Sequence, residues 1–157
     1  MKTSKAKSDD VMLRRTLREH GHRYTDQRAA VFRLIAHSTV HPTAEDVFLG
    51  VRTKVPGISL ATVYKSLETL VNCGLAKKLN PTDGSARFCG RKDPHHHARC
   101  LACGGVSDVP GELGDAEIAA LRTQSNGFHL LGYELELTGY CSECAPPAGN
   151  GSSTTSN

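Results

Sequence analysis

The sequence contains no tryptophan, and all aromatic residues together make up only 5% of its 157 residues. A single large aromatic core is therefore not expected, and two smaller folded units suit this length better. No apolar run approaches the roughly 20 residues that a membrane span needs, and no apolar segment follows the N-terminal lysines. We therefore expect a soluble, cytoplasmic protein with no membrane partner. The sequence also lacks a nucleophile–base pair, a glycine-rich phosphate loop and paired catalytic carboxylates, so no enzymatic activity is predicted.

Charge is distributed unequally along the chain, although the net charge is only +3. Residues 1–79 carry 14 Lys and Arg against 7 Asp and Glu, whereas residues 80–157 carry 5 against 9. A basic half beside an acidic half is typical of a chain that presents one end to a polyanion. Scattered solvating charges are the alternative interpretation.

Hydrophobic spacing predicts an α+β chain whose first half is helical. Residues 10–73 show helical periodicity. Thr25 and Ser59 are placed as N-caps of two of these helices, and Thr43 with Asp46 forms the pattern of a capping box. After Gly74 the apolar residues occur in short, strand-like segments.

The second half is predicted to contain a hairpin, a helix and a further strand. Residues 75–79 and 86–88 flank a turn at 80–84, and a helix at 115–125 precedes a half-buried strand in which Tyr133, Leu135 and Leu137 alternate with polar residues. We divide the chain into a disordered N-terminus (1–9), a winged-helix domain (10–90), a dimerisation domain (91–145) and a disordered tail (146–157).

Helices followed by a two-stranded hairpin describe a winged helix-turn-helix, in which the helix at 59–72 would recognise DNA. Its predicted outward face, which also includes Ser66, carries hydroxyl, phenol and cationic groups. Groups of these types can bond DNA phosphates and base edges. Two arginines and a tyrosine near the second helix could hold the DNA backbone. The candidate DNA-binding residues are Arg23, Tyr24, Arg28, Ser59, Thr62, Tyr64 and Lys65. A tyrosine such as Tyr64 can also be a packed surface residue.

Two Cys-x2-Cys pairs carry the clearest chemical signal in the chain. Cys100 with Cys103, and Cys141 with Cys144, would together complete a tetrahedral four-thiolate site for structural Zn²⁺ in the second domain. Disulfides and a thioredoxin-like redox pair are the competing interpretations. The absence of a secretion signal disfavours the first, and the glycine-rich surroundings of both pairs disfavour the second.

A second metal site is predicted around three consecutive histidines at 95–97. Alternate residues of an extended segment point the same way, so His95 and His97 can converge on one ion while His96 points elsewhere. His41, Cys89 and Asp108 are the other candidate ligands, and together the five span both halves of the chain. The alternative interpretation of the three histidines is a solvated turn that binds no metal. The alternative function is metal storage, because a storage protein would have the same metal sites but would need no recognition helix.

These residues resemble the ferric uptake regulator family over roughly residues 10–145. The matching stretches are HPTAEDVF at 41–48, ISLATVYKSLETL at 58–70, HHHARCLACGGVSDV at 95–109 and GYCSEC at 139–144. The resemblance implies a homodimeric, metal-dependent repressor that binds AT-rich inverted repeats in double-stranded DNA. It assigns structural zinc to the four cysteines of the Cys-x2-Cys pairs, and a regulatory corepressor metal to His41, Cys89, His95, His97 and Asp108.

Two departures from the family pattern bear on the signal. Position 89 commonly holds Asp or Glu in iron- and peroxide-responsive members; a thiolate at Cys89 favours Zn²⁺ over Fe²⁺ or Mn²⁺. Tyr133 and Pro94 stand at positions where many family members have ligands of an additional metal site, so that site is not expected here. We therefore expect zinc-responsive control of metal uptake genes, with a peroxide-sensing, iron- or manganese-dependent repressor or an iron-responsive regulator as the alternative. Asp108 and the approach to Cys89 resemble the peroxide-sensing branch.

Overall fold

The computed structural model describes residues 2–79 and 85–145, with side chains from residue 8 onward, and divides into two compact units at Asp93–Pro94. The predicted turn at 80–84 and tail at 146–157 lie outside the described residues. The first unit contains α1 (Lys2–Glu19), α2 (Asp26–Ala36), α3 (Ala44–Val51), α4 (Leu60–Asn72), β1 (Lys77–Leu79) and β2 (Arg87–Cys89). β1 and β2 pair antiparallel, so the order of elements is that of a winged helix.

Side-chain caps fix where three of the helices begin, as the sequence predicts. The Thr25 and Ser59 hydroxyls each accept a hydrogen bond at 3.1 Å from the backbone N–H three residues further on. Thr43 Oγ1 accepts from the Asp46 N–H at 3.2 Å, and the Asp46 carboxylate accepts from the Thr43 N–H at 3.0 Å. These bonds satisfy backbone donors that a helix start otherwise leaves unpaired.

Helix α1 begins at Lys2, inside the segment that the sequence analysis assigns to a disordered N-terminus. Residues 2–9 contain no proline or glycine, and each residue that extends an existing helix adds a hydrogen bond without a new nucleus. The helix is anchored downstream, where Leu13 and Leu17 are fully buried. Arg33 of α2 also donates to both Asp10 carboxylate oxygens, at 2.8 and 2.7 Å.

One apolar core holds the first unit together. Its buried side chains come from every helix, from β2 and from the segments that flank α4: Leu13, Leu17, Ala29, Val31, Phe32, Ile35, Ala44, Val47, Val51, Ile58, Val63, Leu67, Leu70, Cys73, Leu75, Ala76 and Phe88. Burying a Val, Leu, Ile or Phe side chain stabilises a fold by roughly 1.5–3 kcal/mol. Helix α4 is therefore fixed to the unit by its whole inner face.

The second unit is a small sheet with one helix. It contains β3 (His95–Cys100), β4 (Val106–Pro110), α5 (Asp115–Gln124) and β5 (Glu136–Gly139). The strand order is β4-β3-β5, with β3 antiparallel to β4 and parallel to β5. A parallel pair needs a crossover connection, which α5 and its flanking segments provide.

The last strand differs from its prediction. β5 begins only at Glu136, and Tyr133, Leu135 and Leu137 are 40%, 36% and 41% exposed. The alternation of apolar and polar residues predicts a face that is buried, yet the described residues place no layer over that face. No helix within the described part of the chain is both long and apolar enough to span a membrane.

Candidate functional site

The four cysteines of the second unit form one cluster. Cys100 is the last residue of β3 and is buried, and Cys103 lies in the following turn, where Gly104 adopts a positive φ of 67°. Cys141 and Cys144 lie in the turn after β5. Their four sulfur atoms all lie within 4.8 Å of one another.

The pairing of β3 with β5 brings the two turns together across 37 intervening residues. Cys100 stands in register with Gly139 in this parallel pair, and the Leu101 N–H donates to the Gly139 carbonyl at 2.7 Å. Cys141 follows two residues later, and its N–H donates to Cys100 Sγ at 3.4 Å. The strand register, which the spacing of the cysteines does not encode, therefore determines that the two pairs meet.

The dimensions of the cluster fit a four-coordinate metal. A tetrahedral Zn²⁺ with Zn–S bonds of about 2.3 Å separates its sulfur ligands by about 3.8 Å. Cys103 Sγ and Cys141 Sγ lie 3.8 Å apart, which is far from the S–S bond of about 2.05 Å in a disulfide. None of the four cysteines is in a disulfide. The four sulfur donors and their spacing fit a zinc site. Such a site would be structural, since protein ligands would fill all four coordination positions of the metal.

Electrostatics in the cluster also favour a cation. Backbone N–H groups, first that of Cys103 and then that of Cys141, lower the pKa of the Cys100 thiol to about 6. Hydrogen bonds with the neighbouring thiols, first Cys141 and then Cys103, raise the pKa of Cys144 to about 12. The thiolate form of Cys100 is therefore favoured at neutral pH, whereas Cys144 ionises there only if a positive charge lies among the sulfurs.

Three side chains of β3 and β4 that can act as metal ligands converge in a second cluster. His95 and His97 alternate along β3, and Asp108 of β4 is the register partner of His97. The two histidine Nε2 atoms lie 3.1 Å apart, and Asp108 Oδ1 lies 3.5 Å from His95 Nε2 and 3.9 Å from His97 Nε2. Ligand atoms about 2.1 Å from one metal are separated by about 3.0–3.4 Å, so these distances suit a shared ion.

The three side chains are largely shielded from water. His95, His97 and Asp108 have side-chain exposures of 7%, 12% and 10%. His96 points away from them, and its ring lies 5.9 Å from that of Tyr133. The predicted alternation of the histidines is therefore confirmed, and a solvated turn is ruled out for this segment.

The first unit brings the remaining two candidate ligands together. The Phe88 N–H donates to the Pro42 carbonyl at 3.0 Å, and Arg87 donates to the His41 carbonyl at 3.1 Å. These bonds align residues 41–43 with β2. His41 and Cys89 are both 3% exposed, and a ring nitrogen of His41 lies within 4.8 Å of Cys89 Sγ.

A glycine allows Cys89 to reach this position. A Cβ at Gly90 would lie 2.7 Å from Ile35 Cγ1 and 2.8 Å from the Ala36 nitrogen, at the end of α2. No larger residue fits there without moving the backbone. The close approach of Gly90 to α2 therefore fixes the end of β2 and the direction in which the chain leaves Cys89.

Helix α4, which the sequence predicts to recognise DNA, carries the predicted polar face with one exception. Tyr64 and Lys65 are exposed, Thr62 is half-buried, and the Ser59 hydroxyl serves as the N-cap. Ser66, which the sequence places on the outward face, is only 3% exposed and lies among the core residues. This correction reflects the rotation per residue, because Ser66 is three positions from buried Val63 and four from Leu70.

The three DNA-binding candidates near α2 have different surroundings. Arg23 is exposed, whereas the Arg28 guanidinium donates to the Arg23 carbonyl and to Thr69 Oγ1 of α4, the latter at 3.5 Å. The Tyr24 ring is half-buried, and the Arg14 guanidinium lies 3.5 Å from its centre. Arg28 and Tyr24 thus already make contacts inside the first unit.

Sequence reasoning missed Glu45 of α3. Its carboxylate accepts a hydrogen bond from the Tyr64 hydroxyl at 2.6 Å. The two residues are 19 positions apart and on different helices, so no periodicity within one helix indicates the contact. The only local signal is that an acidic residue is favoured in the first turn of a helix.

A winged helix joined to a small α/β unit, with a four-thiol cluster and a His/Asp cluster, defines a metal-dependent transcriptional regulator. The comparisons with known proteins agree. The chain belongs to the ferric uptake regulator family, whose model matches residues 19–138. Members of this family bind DNA and form dimers.

Two similar proteins are peroxide regulators. The chain is 38% identical over 132 residues to the peroxide operon regulator of Bacillus subtilis (strain 168), covering 83% of this chain and 89% of that protein. It is 34% identical over 129 residues to the peroxide-responsive repressor PerR of Staphylococcus epidermidis (strain ATCC 12228 / FDA PCI 1200), covering 82% and 85%. The structure of the Helicobacter pylori ferric uptake regulator is similar in fold, with a TM-score of 0.72 at 22% identity over 92% of this chain and 96% of that chain.

Proposed function

We propose that the protein is a peroxide-responsive repressor that binds DNA when a divalent metal occupies its regulatory site. The observation that carries this proposal is the 38% identity to a peroxide operon regulator over 89% of that protein. Zinc-responsive control of metal uptake, which the sequence analysis puts first, becomes the second candidate. The proposed operator remains an AT-rich inverted repeat, and the proposed DNA-bound form is a homodimer.

The regulatory metal is proposed to be held by His95, His97 and Asp108 together with the His41–Cys89 pair. Imidazole and carboxylate ligands suit Fe²⁺ and Mn²⁺, and the low exposure of the three second-unit side chains limits exchange with water. When bound, Fe²⁺ supplies the chemistry by which peroxide oxidises a nearby ligand. Oxidation of a histidine would remove a ligand, and with it the metal.

Repression then follows from linkage between metal and DNA. A metal that binds the DNA-competent conformation more tightly than the incompetent one shifts the population toward it by the ratio of the two affinities. Because linkage is reciprocal, bound operator DNA should raise the affinity for the regulatory metal by the same factor. The four-cysteine site takes no part in this switch, since protein ligands fill its coordination shell.

A specific residue favours the second candidate. The buried thiol of Cys89 lies beside His41 in the first unit, and a thiolate in the ligand set selects Zn²⁺ over Fe²⁺ and Mn²⁺. Under this alternative, the same site would sense zinc and the protein would respond weakly to peroxide.

The two candidates differ in which metal induces DNA binding. Protein that retains only its structural zinc is mixed with a labelled AT-rich inverted repeat, and fluorescence anisotropy is followed at fixed salt while buffered Zn²⁺, or anaerobic Fe²⁺ or Mn²⁺, is added. We expect Fe²⁺ to induce binding and peroxide to abolish it. Binding that only Zn²⁺ induces, and that peroxide leaves intact, would establish the second candidate.

Variants of the two ligand sets sharpen this experiment. Cys89→Asp replaces the thiolate with a carboxylate and should strengthen the response to Fe²⁺ relative to Zn²⁺ by about tenfold or more, because soft donors are lost. His95→Ala should leave a folded dimer that no longer responds to metal, as judged by circular dichroism and sizing. His96→Ala is the matched control, since that side chain points away, and should respond as the wild-type protein does. A metal response that survives His95→Ala would contradict the proposed site.

A further inference from the structure

An acidic group of the neighbouring helix lies beside the exposed face of the recognition helix, and DNA binding does not by itself require it. Glu45 lies in the first turn of α3, and its Oε1 atom is 2.6 Å from the Tyr64 hydroxyl of α4. Both side chains are exposed, and Tyr64 keeps 47% of its surface open to solvent. A carboxylate thus stands beside the aromatic residue that the proposed function presents to the operator.

The hydrogen bond favours the charged form of this carboxylate. It is the first cause of a lowered pKa at Glu45 and of a raised pKa at Tyr64. At neutral pH the pair is an ionised carboxylate and a neutral phenol, as the ordinary pKa values of both groups already require. A negative charge at this position repels nearby phosphates, which make up the sequence-independent part of DNA affinity.

The bond also limits what Tyr64 can do. A phenol has one O–H to donate, and here it is directed to Glu45. Its ring and its oxygen lone pairs remain available, whereas donation to a phosphate would require breaking a charge-assisted bond. The side chain is held in one orientation before DNA arrives, which reduces the entropy lost on binding.

We infer that Glu45 is a positioning residue for DNA recognition, which fixes the Tyr64 phenol for base contact and weakens binding to DNA of unrelated sequence. This inference rests on the proposed function, because it requires α4 to face the operator. Glu45 thus lowers the total affinity for DNA but increases the preference for the operator over DNA of unrelated sequence. These two effects come from two properties of the side chain that can be changed separately. The hydrogen bond acts on specificity, and the charge acts on non-specific affinity.

Three variants separate these properties. Glu45→Gln keeps an oxygen acceptor but removes the charge, and should tighten binding to a scrambled duplex about threefold, the size of a surface charge interaction. Glu45→Ala removes both and should also lower the ratio of operator to scrambled affinity about tenfold, the size of one good base contact. Tyr64→Phe should lower this ratio without tightening non-specific binding, because the charge remains.

The double variant tests whether the two residues act together. If Glu45 works through the Tyr64 hydroxyl, Glu45→Ala combined with Tyr64→Phe should lower the ratio no further than either change alone. Glu68→Gln is the matched control, since it removes a carboxylate from α4 itself and has no part in the Glu45–Tyr64 bond. Thermal unfolding of each variant establishes that the first unit stays folded.

The experiment uses the full-length, metal-activated protein and a pool of randomised duplexes, sequenced before and after selection. The duplex that the wild-type protein enriches serves as the operator in anisotropy titrations of every variant. Failure of the wild-type protein to enrich any duplex would contradict the proposed function and this inference with it. Enrichment by the wild-type protein, with unchanged affinity ratios in Glu45→Ala or equal effects in Glu68→Gln, would contradict this inference alone.

Discussion

The two units of the chain are stabilised in different ways. The first buries apolar side chains from all of its helices in one core. In the second, the described residues include only Cys100 and Val106 as buried apolar side chains, and α5 has none. Large apolar side chains are instead exposed there: Leu101, Leu121, Phe128, Leu131, Tyr133, Leu135, Leu137 and Tyr140.

This difference indicates what each unit needs in order to fold. A core such as that of the first unit contributes enough apolar burial to offset the entropy of ordering the chain. The described residues of the second unit provide no such burial, so we expect this unit to depend on its thiol cluster and on the second copy of a homodimer. Binding of a ligand to the folded state alone adds directly to stability.

Loss of one cysteine of the proposed zinc site should have the largest effect. Cys144→Ser leaves three thiolates, and structural zinc in small domains contributes on the order of 10 kcal/mol to folding. We expect the variant to lose its zinc, its dimer and the fold of the second unit, as measured by metal analysis, sizing and circular dichroism. Cys73→Ala, a change of a buried thiol in the first unit, is the control and should retain zinc. A zinc-free Cys144→Ser protein that stayed a folded dimer would contradict this account.

A cavity in the core of the first unit should have the next largest effect on stability, and this effect should be confined to the first unit. Phe32 is 1% exposed, and truncation of a buried Phe costs about 3–5 kcal/mol. Phe32→Ala should lower the melting temperature of the first unit and abolish DNA binding, while the zinc content remains unchanged. Phe128→Ala, at a side chain that is 74% exposed in the single chain, should leave that melting temperature unchanged. Loss of zinc from Phe32→Ala would show that the two units do not fold separately.

The capping box of α3 should have the smallest effect. Thr43→Ala removes a cap worth about 1 kcal/mol. Hydrogen bonds from the Thr43 backbone and then its hydroxyl lower the pKa of Asp46 below its ordinary value of 3.8. Because the folded state has the lower pKa, this contribution is complete above pH 3.8 and is lost as the pH falls through the folded pKa. Asp46→Asn should therefore flatten the acid side of the stability profile, followed by helical circular dichroism, and an unchanged profile would argue against this role.

Local signals explain which parts of the fold could be predicted. Thr25, Thr43 and Ser59 each bond backbone groups within four residues, so these caps can be predicted from short stretches of sequence. The same is true of the alternation of His95 and His97 along a strand. The thiol cluster could be inferred because two Cys-x2-Cys turns in one chain are the usual ligand pattern of a structural zinc site.

Features that depend on packing between distant residues could not be predicted. β5 begins late, at Glu136, and Tyr133 and Leu137 are exposed because no layer of the described residues covers that face, which the pattern along the strand does not reveal. The contact between Glu45 and Tyr64 arises from the crossing of α3 and α4, which sequence spacing does not specify. Ser66 was misplaced because one helical position decides between a core and a surface side chain.

The distance between the two cysteine pairs has a consequence during synthesis. A ribosome adds about 5–20 residues per second, so the second pair emerges roughly 2–8 s after the first. Throughout that interval the growing chain carries two thiols, Cys100 and Cys103, without the strand that completes their site. A nascent chain in this state is open to oxidation or to capture of a wrong metal. The abundance of correctly assembled protein should therefore depend on the zinc supply at the time of translation.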